Sequence, residues 1–167
     1  MGQPVGYFIT FTTYGTWLRG DERCSITKEN NRHGTAFNRP DINLYKKEKA
    51  SLKNPAVILD SYQREAVLKA ILEVCKFRDW TAHAVHVRSN HVHVVVSGDN
   101  KPYKMMIDFK AYATRAIKKL NTAENKICKY WTQHGSTKYL WTKEYLDSAI
   151  KYVKYGQGKT MSLGAIE

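Results

Sequence analysis

Alternation of apolar and polar positions opens the chain. Val5, Tyr7, Ile9, Phe11 and Thr13 interleave with Gly6, Phe8, Thr10 and Thr12, an aromatic and β-branched run that predicts a buried strand. The periodicity then lapses from Tyr14 to Val57, where glycines stand at 15, 20 and 34, prolines at 40 and 55, and lysines crowd 46–49. Such a span reads as a long surface excursion with room for one short helix. Asp60 followed by Gln63 predicts a helix that begins with a capping box, and Val67, Ala70, Ile71, Val74 and Phe77 recur behind it at helical spacing. Residues 81–88 and 91–97 alternate on either side of Ser89-Asn90, the pattern of a hairpin with a two-residue turn. Pro102 suits the first position of a helix whose apolar stripe is Met106, Phe109, Ala113, Ala116, Ile117 and Leu120. After a polar linker, residues 139–141 predict a short edge strand. A last helix follows over 143–155, with Leu146, Ala149, Ile150 and Val153 inward and Gly156 ending it.

The resulting order, β-α-β-β-α-β-α, predicts an α+β fold: a ferredoxin-like split βαβ sandwich, an antiparallel sheet with two helices on one face, followed by a C-terminal helix. Residues 1–167 are expected to form one domain, with 14–57 as its excursion and 143–157 as its closing helix and helix end. Apolar residues make up 43%, enough for a core, and charged residues 25%. Lysine plus arginine exceed aspartate plus glutamate by 27 − 15 = 12, which excludes an acidic solvating protein and points to a polyanionic partner. No apolar run approaches a bilayer span and no charged-then-apolar leader is seen, so no membrane partner and a cytoplasmic location are expected. Cys24, Cys75 and Cys128 are odd in number and lack a C-x-x-C pair, which argues against a disulfide framework or a zinc knuckle.

Candidate chemistry concentrates at His91-Val92-His93. Side chains at i and i+2 of a strand share a face, roughly 6.6 Å apart along it, so both imidazoles can converge on one cation while Val92, Val94 and Val96 fill the other face. An isolated H-x-H is more often a pair of half-exposed strand histidines. Here it opens straight from a turn, leads into a core strand and sits in a strongly basic protein. His83 and His86 are expected on opposite faces of the preceding strand, so at most one could join the site. Lys110, Arg115, Lys118 and Lys119 lie off the apolar stripe of their helix, interleaved with Tyr112. Lys126, Lys129, Lys138, Lys143, Lys151, Lys154 and Lys159 extend a surface suited to tracking phosphates. Tyr130, Trp131 and His134 could stack bases or anchor the linker. Tyr14, Trp17, Arg19 and Arg23 pose the same choice in the excursion.

The run from Ser89 to Val96 resembles the HUH signature (histidine, bulky apolar, histidine) of single-tyrosine transposases, and most of all the REP-associated tyrosine transposases. The stretch from Thr12 to Asp21 is similar to the segment after the first strand in one group of them. The tail from Ile150 to Gln157 resembles their tyrosine-bearing helix, so the likeness follows nearly the whole chain in motif order. The resemblance implies a single-stranded DNA endonuclease and strand transferase acting near a hairpin, through a 5′-phosphotyrosine link and a free 3′-hydroxyl. It implies Mg2+ or Mn2+ held by His91 and His93, with Gln157 as candidate third ligand. It selects Tyr152 as nucleophile, while the basic pattern itself makes Arg19, Lys110, Arg115, Lys118, Lys119 and Lys154 the candidate DNA contacts. Two departures stand out: Gln157 follows Tyr152 by five residues where the family pattern has four, and Gly156 occupies the place of the usual Asn. At roughly 100° per residue, Tyr152 falls on the flank of the last helix's apolar stripe and Tyr155 nearly opposite it. Relatives include monomers and dimers that swap this helix, so a homodimer stays open. Two other readings also stay open: a non-catalytic, domesticated DNA-binding relative, and a small metallohydrolase in which the H-x-H cation activates water.

The charge balance makes a direct prediction. Affinity for single-stranded DNA should fall steeply between roughly 50 and 200 mM salt, with a log–log slope of about 0.7 per phosphate neutralised. Fluorescence anisotropy reads this slope, and an affinity that barely moves would reject the phosphate-tracking surface.

Overall fold

The computed structural model describes residues 2–22, 39–120 and 129–166. Arg23, Cys24, Lys126 and Cys128 lie outside them. The elements in order are β1 (Gly6–Thr12), α1 (Ile42–Ala50), α2 (Ser61–Phe77), β2 (Thr81–Val87), β3 (His91–Ser97), α3 (Pro102–Leu120), β4 (Ser136–Leu140), α4 (Lys143–Tyr155) and β5 (Ser162–Gly164). The strands form one antiparallel sheet in the order β4-β1-β3-β2-β5. Its first four members carry the predicted ferredoxin-like arrangement. The fifth, β5, is an addition that the short segment Ser162–Gly164 gave no pattern to predict.

Period two divides the sheet's side chains between two layers. Ile9 and Phe11 of β1 and Val92, Val94 and Val96 of β3 face α2 and α3, and pack there with Val67, Ile71, Val74, Met105, Phe109 and Ile117. Trp80 closes this core edge-on against Phe109, with ring centroids 5.7 Å apart. The opposite face belongs to α4, where Ala149 and Val153 pack on Ala84, Val95 and Leu140, flanked by Phe8, Leu146 and Ile150. The sheet is therefore covered on both faces, by the two expected helices on one and by α4 on the other. Burying each large aliphatic or aromatic side chain in these layers contributes about 1.5–3 kcal/mol.

Local signals hold where the sequence carried them. Asp60 accepts from Gln63 N–H and the Gln63 side chain accepts from Asp60 N–H, the expected capping box. Thr142 caps α4 through Tyr145 N–H. The short helix in the excursion is α1, capped by Asp41. The edge strand begins three residues earlier than expected, at Ser136, because β1 offers pairing partners as far as Thr10. Phe77 and Leu120, expected inward, are exposed at the last residues of α2 and α3. A register shift between Ala82 and Ala84 marks a bulge at His83. It corrects the expectation for the two β2 histidines: His83 Nε2 bonds Ser97 Oγ at 2.8 Å, so His83 and His86 both lie on the α4 face. Among the described residues no helix is long and apolar enough to cross a membrane.

Two substitutions grade these contributions. Phe109→Ala should lower unfolding free energy by about 3–5 kcal/mol through the cavity it leaves, and Asp60→Ala by about 1 kcal/mol through the lost cap. Urea unfolding checks both, and equal effects would contradict this account of the core.

Candidate active site

The hairpin places both histidines at the sheet end where β1 finishes. Arg88 N–H bonds His91 O across a turn tipped by Ser89 and Asn90, and His91 and His93 pair with Thr12 and Thr10. Their rings share the α4 face, with centroids 4.7 Å apart and planes at 74°. His91 Nδ1–H donates to Asn90 Oδ1 at 2.7 Å, which assigns the ring's lone pair to Nε2. His93, only 7% exposed, accepts from the Thr10 hydroxyl at Nδ1 (2.8 Å) and donates from Nε2 to Gln157 Oε1 (3.0 Å). A hydroxyl can donate or accept, so Thr10 also serves the tautomer whose Nε2 carries the lone pair. Burial, then the neighbouring His91, pushes the His93 imidazole down to about 3, so the ring is neutral, the form that ligates metals.

The last helix brings the other two predicted residues to the same place. Tyr152 packs its ring edge-on against His93 and against Phe8, each at 5.9 Å between centroids. It is 47% exposed, and its hydroxyl has no hydrogen-bond partner among the described residues. Tyr155 is 79% exposed on the outer side of α4 and joins none of these contacts. The extra residue before Gln157 is absorbed by the helix end. Gly156 caps α4 through its N–H to Tyr152 O, and the chain then turns back so that Gln157 reaches His93. A Cβ at 156 would stand 2.8 Å from Tyr152 O and 2.9 Å from Tyr152 Cδ2, which explains a glycine where φ is an ordinary −87°.

Two imidazoles and an amide oxygen on one rim fit a divalent cation. Each imidazole has its Nδ1 engaged by a neighbour, the usual outer-shell support of a metal-binding histidine. Among the described residues no group of three His, Cys, Asp or Glu side chains could hold a metal ion, and the further polar side chain that meets this pair at His93 is the Gln157 amide. Trp17 stands edge-on to His91 at 6.1 Å. Thr10, Asn90 and Phe8 escaped the sequence reading, although β1 alternation puts Thr10 on the histidine face and Asn90 directly precedes His91.

The basic residues divide by role. Lys110 lies over the Phe11 ring and donates to the carbonyl oxygens of Thr132, Gln133 and His134 at 2.8, 3.3 and 3.1 Å. Burial, then Lys129, brings its ammonium down to about 8. It is committed to the 132–134 backbone, not presented to a phosphate. Arg19 is paired with Glu48 of α1. Arg115 covers the Tyr112 ring at 4.4 Å, Lys118 and Lys119 are exposed in the last turn of α3, and Lys154 is half-buried on α4. Trp131 and Tyr130 are buried, with Trp131 edge-on to Phe11 and bonded to Thr114, so they anchor the linker. Tyr14 accepts from Lys53 N–H beneath Lys129.

Residues 50–155 match the family described as transposase IS200-like. No curated protein matches the sequence. Among solved structures, a REP-associated tyrosine transposase bound to a REP hairpin is similar in fold, with a TM-score of 0.51 at 13% identity. The match covers 93% of this chain and 67% of that one.

The committed ammonium yields a prediction. Lys110→Met should destabilise the fold by about 1–3 kcal/mol, because the 132–134 carbonyls lose their charged donor, and leave the salt slope of DNA binding unchanged. Paired thermal unfolding and anisotropy measurements check it, and a shallower slope at full stability would return Lys110 to the DNA surface.

Proposed function

The chain belongs to the IS200-like transposase family, and we propose that it is a metal-dependent endonuclease and strand transferase for single-stranded DNA, acting beside a hairpin through a 5′-phosphotyrosine intermediate. The observation that carries this reading is the edge-on packing of Tyr152 against His93, with Gln157 bonded to the same imidazole. Support for a hairpin substrate comes from the similar transposase, which is bound to one.

In this reading the Tyr152 oxygen attacks the scissile phosphorus. The new phenolic O–P bond replaces the P–O3′ bond, the phenol proton passes to solvent, and the departing 3′ oxygen takes one up. Transfer reverses the sequence on a second 3′-hydroxyl. A phenol ordinarily ionises near pH ~10 and is a weak nucleophile at neutrality. A divalent cation, Mg2+ or Mn2+, held by His91, His93 and Gln157 would withdraw charge from the phosphate oxygens and favour in-line attack. Phe8 and the His93 ring fix the tyrosine ring from two sides and so reduce the orientational freedom lost on reaching attack geometry. Thr10 and Asn90 hold the imidazoles. Lys118, Lys119, Arg115 and Lys154 supply positive charge along the strand's path.

Tyr152→Phe should abolish the covalent adduct with a hairpin-bearing single strand in Mn2+, leaving DNA affinity within about twofold because only a hydroxyl is removed. Tyr155→Phe should behave as wild type. Denaturing gels of labelled DNA read both; an adduct formed by the Tyr152 variant names another nucleophile, and strand cleavage without any adduct favours water as the attacking group.

A further inference from the structure

Beneath the site, His86 is fully buried and cross-strand from His93. Its two nitrogens are used in opposite senses. Nδ1–H donates to Val153 O at 3.1 Å, and Nε2 accepts Met161 N–H at 3.0 Å. Val153 follows the tyrosine directly, in the last turn of α4, where carbonyls begin to lack helical partners. Met161 directly precedes β5, which pairs antiparallel with β2 so that Leu163 lies opposite His86 itself. One ring therefore joins the end of the tyrosine helix to the start of the return strand, and Gln157 lies on the arc between those two grips. Arg88, two residues on, adds a third hold by donating from Nη1 to Lys159 O at 3.0 Å.

We propose that His86 is a positioning residue: by gripping Val153 O and Met161 N–H at once, it sets Tyr152 and Gln157 against His93. The inference rests on the nuclease reading for its consequence in catalysis, though the grip itself is independent of it. Sequence alternatives sharpen the assignment. A ring or amide that both donates and accepts can replace the imidazole, whereas an aliphatic strand former of β2 cannot. His83 is a natural contrast: it lies on the same strand and face but bonds only Ser97 Oγ among these groups, away from the helix end.

The test uses the full chain with a hairpin-bearing single strand and Mn2+. Four variants are compared: His86→Val, His86→Gln, Met161→Pro and His83→Ala. Hydrogen exchange over residues 152–162 reads the grip, and unfolding midpoints read the fold. Adduct formation at saturating DNA is measured separately from the DNA concentration giving half its rate. His86→Val is expected to speed exchange across that segment and slow adduct formation at saturation by about 10- to 100-fold, the usual loss for an outer-shell partner. The half-saturating concentration should change less than about twofold. His86→Gln should restore most of the rate, and His83→Ala should match wild type. If His86→Val does not fold, Met161→Pro removes one donor from the partly exposed segment and carries the same expectation. Wild-type exchange in both disrupting variants, or a full rate despite loosened exchange, overturns the proposal. If wild-type protein forms no adduct, the nuclease reading falls, and the exchange measurement still decides the grip.

Discussion

The alternation of β3 is the constraint on which the rest depends. As the central strand of the sheet it is covered on both faces, and its even-numbered valines enter the α2–α3 core while His91, His93 and Val95 face α4. A slip of one residue would send both imidazoles into hydrocarbon and three valines to the site. Register is thus fixed by apolar burial on one face, and the position of the donors on the other follows from it. Stability and chemistry are written into alternate residues of a single seven-residue strand.

The side chains of the candidate site are held by their own neighbours. Each imidazole is oriented by a neighbouring oxygen, the tyrosine ring is braced by Phe8 and His93, and Gly156 leaves that ring the space it occupies. The basic residues show a comparable division of labour. Lys110 and Arg19 hold this chain's own backbone and carboxylate, while the end of α3 exposes Lys118 and Lys119. Net charge alone does not distinguish these uses, because a lysine that satisfies three carbonyls counts the same as one that meets solvent.

Much of this was legible in the sequence, for identifiable reasons. The three helices α2, α3 and α4 and the first three strands carry strong periodicity, and the Asp60 cap is local chemistry that needs no tertiary context. The shared face of the histidine pair follows from period two, whereas Tyr152 is singled out by the resemblance of the 150–157 tail and not by its place on the helix. What escaped depends on longer-range pairing. The bulge at His83 moves that residue across the sheet, β5 is too short to show a pattern, and Thr10 is a partner of His93 only once β1 and β3 are in register. The contact of Gln157 with His93 was likewise hidden, since a helix that ends at Gly156 frees the following backbone from helical spacing.

The return strand β5 has a consequence for the molecule's independence. A terminal helix tied down only at its front can be traded with a neighbour by opening one connection. Here the far side is stitched as well, through three ladder positions on β2 and the Ile166 N–H bond to Ala82 O. Freeing α4 from the sheet would therefore break that stitching along with the α4 packing on Ala84, Val95 and Leu140.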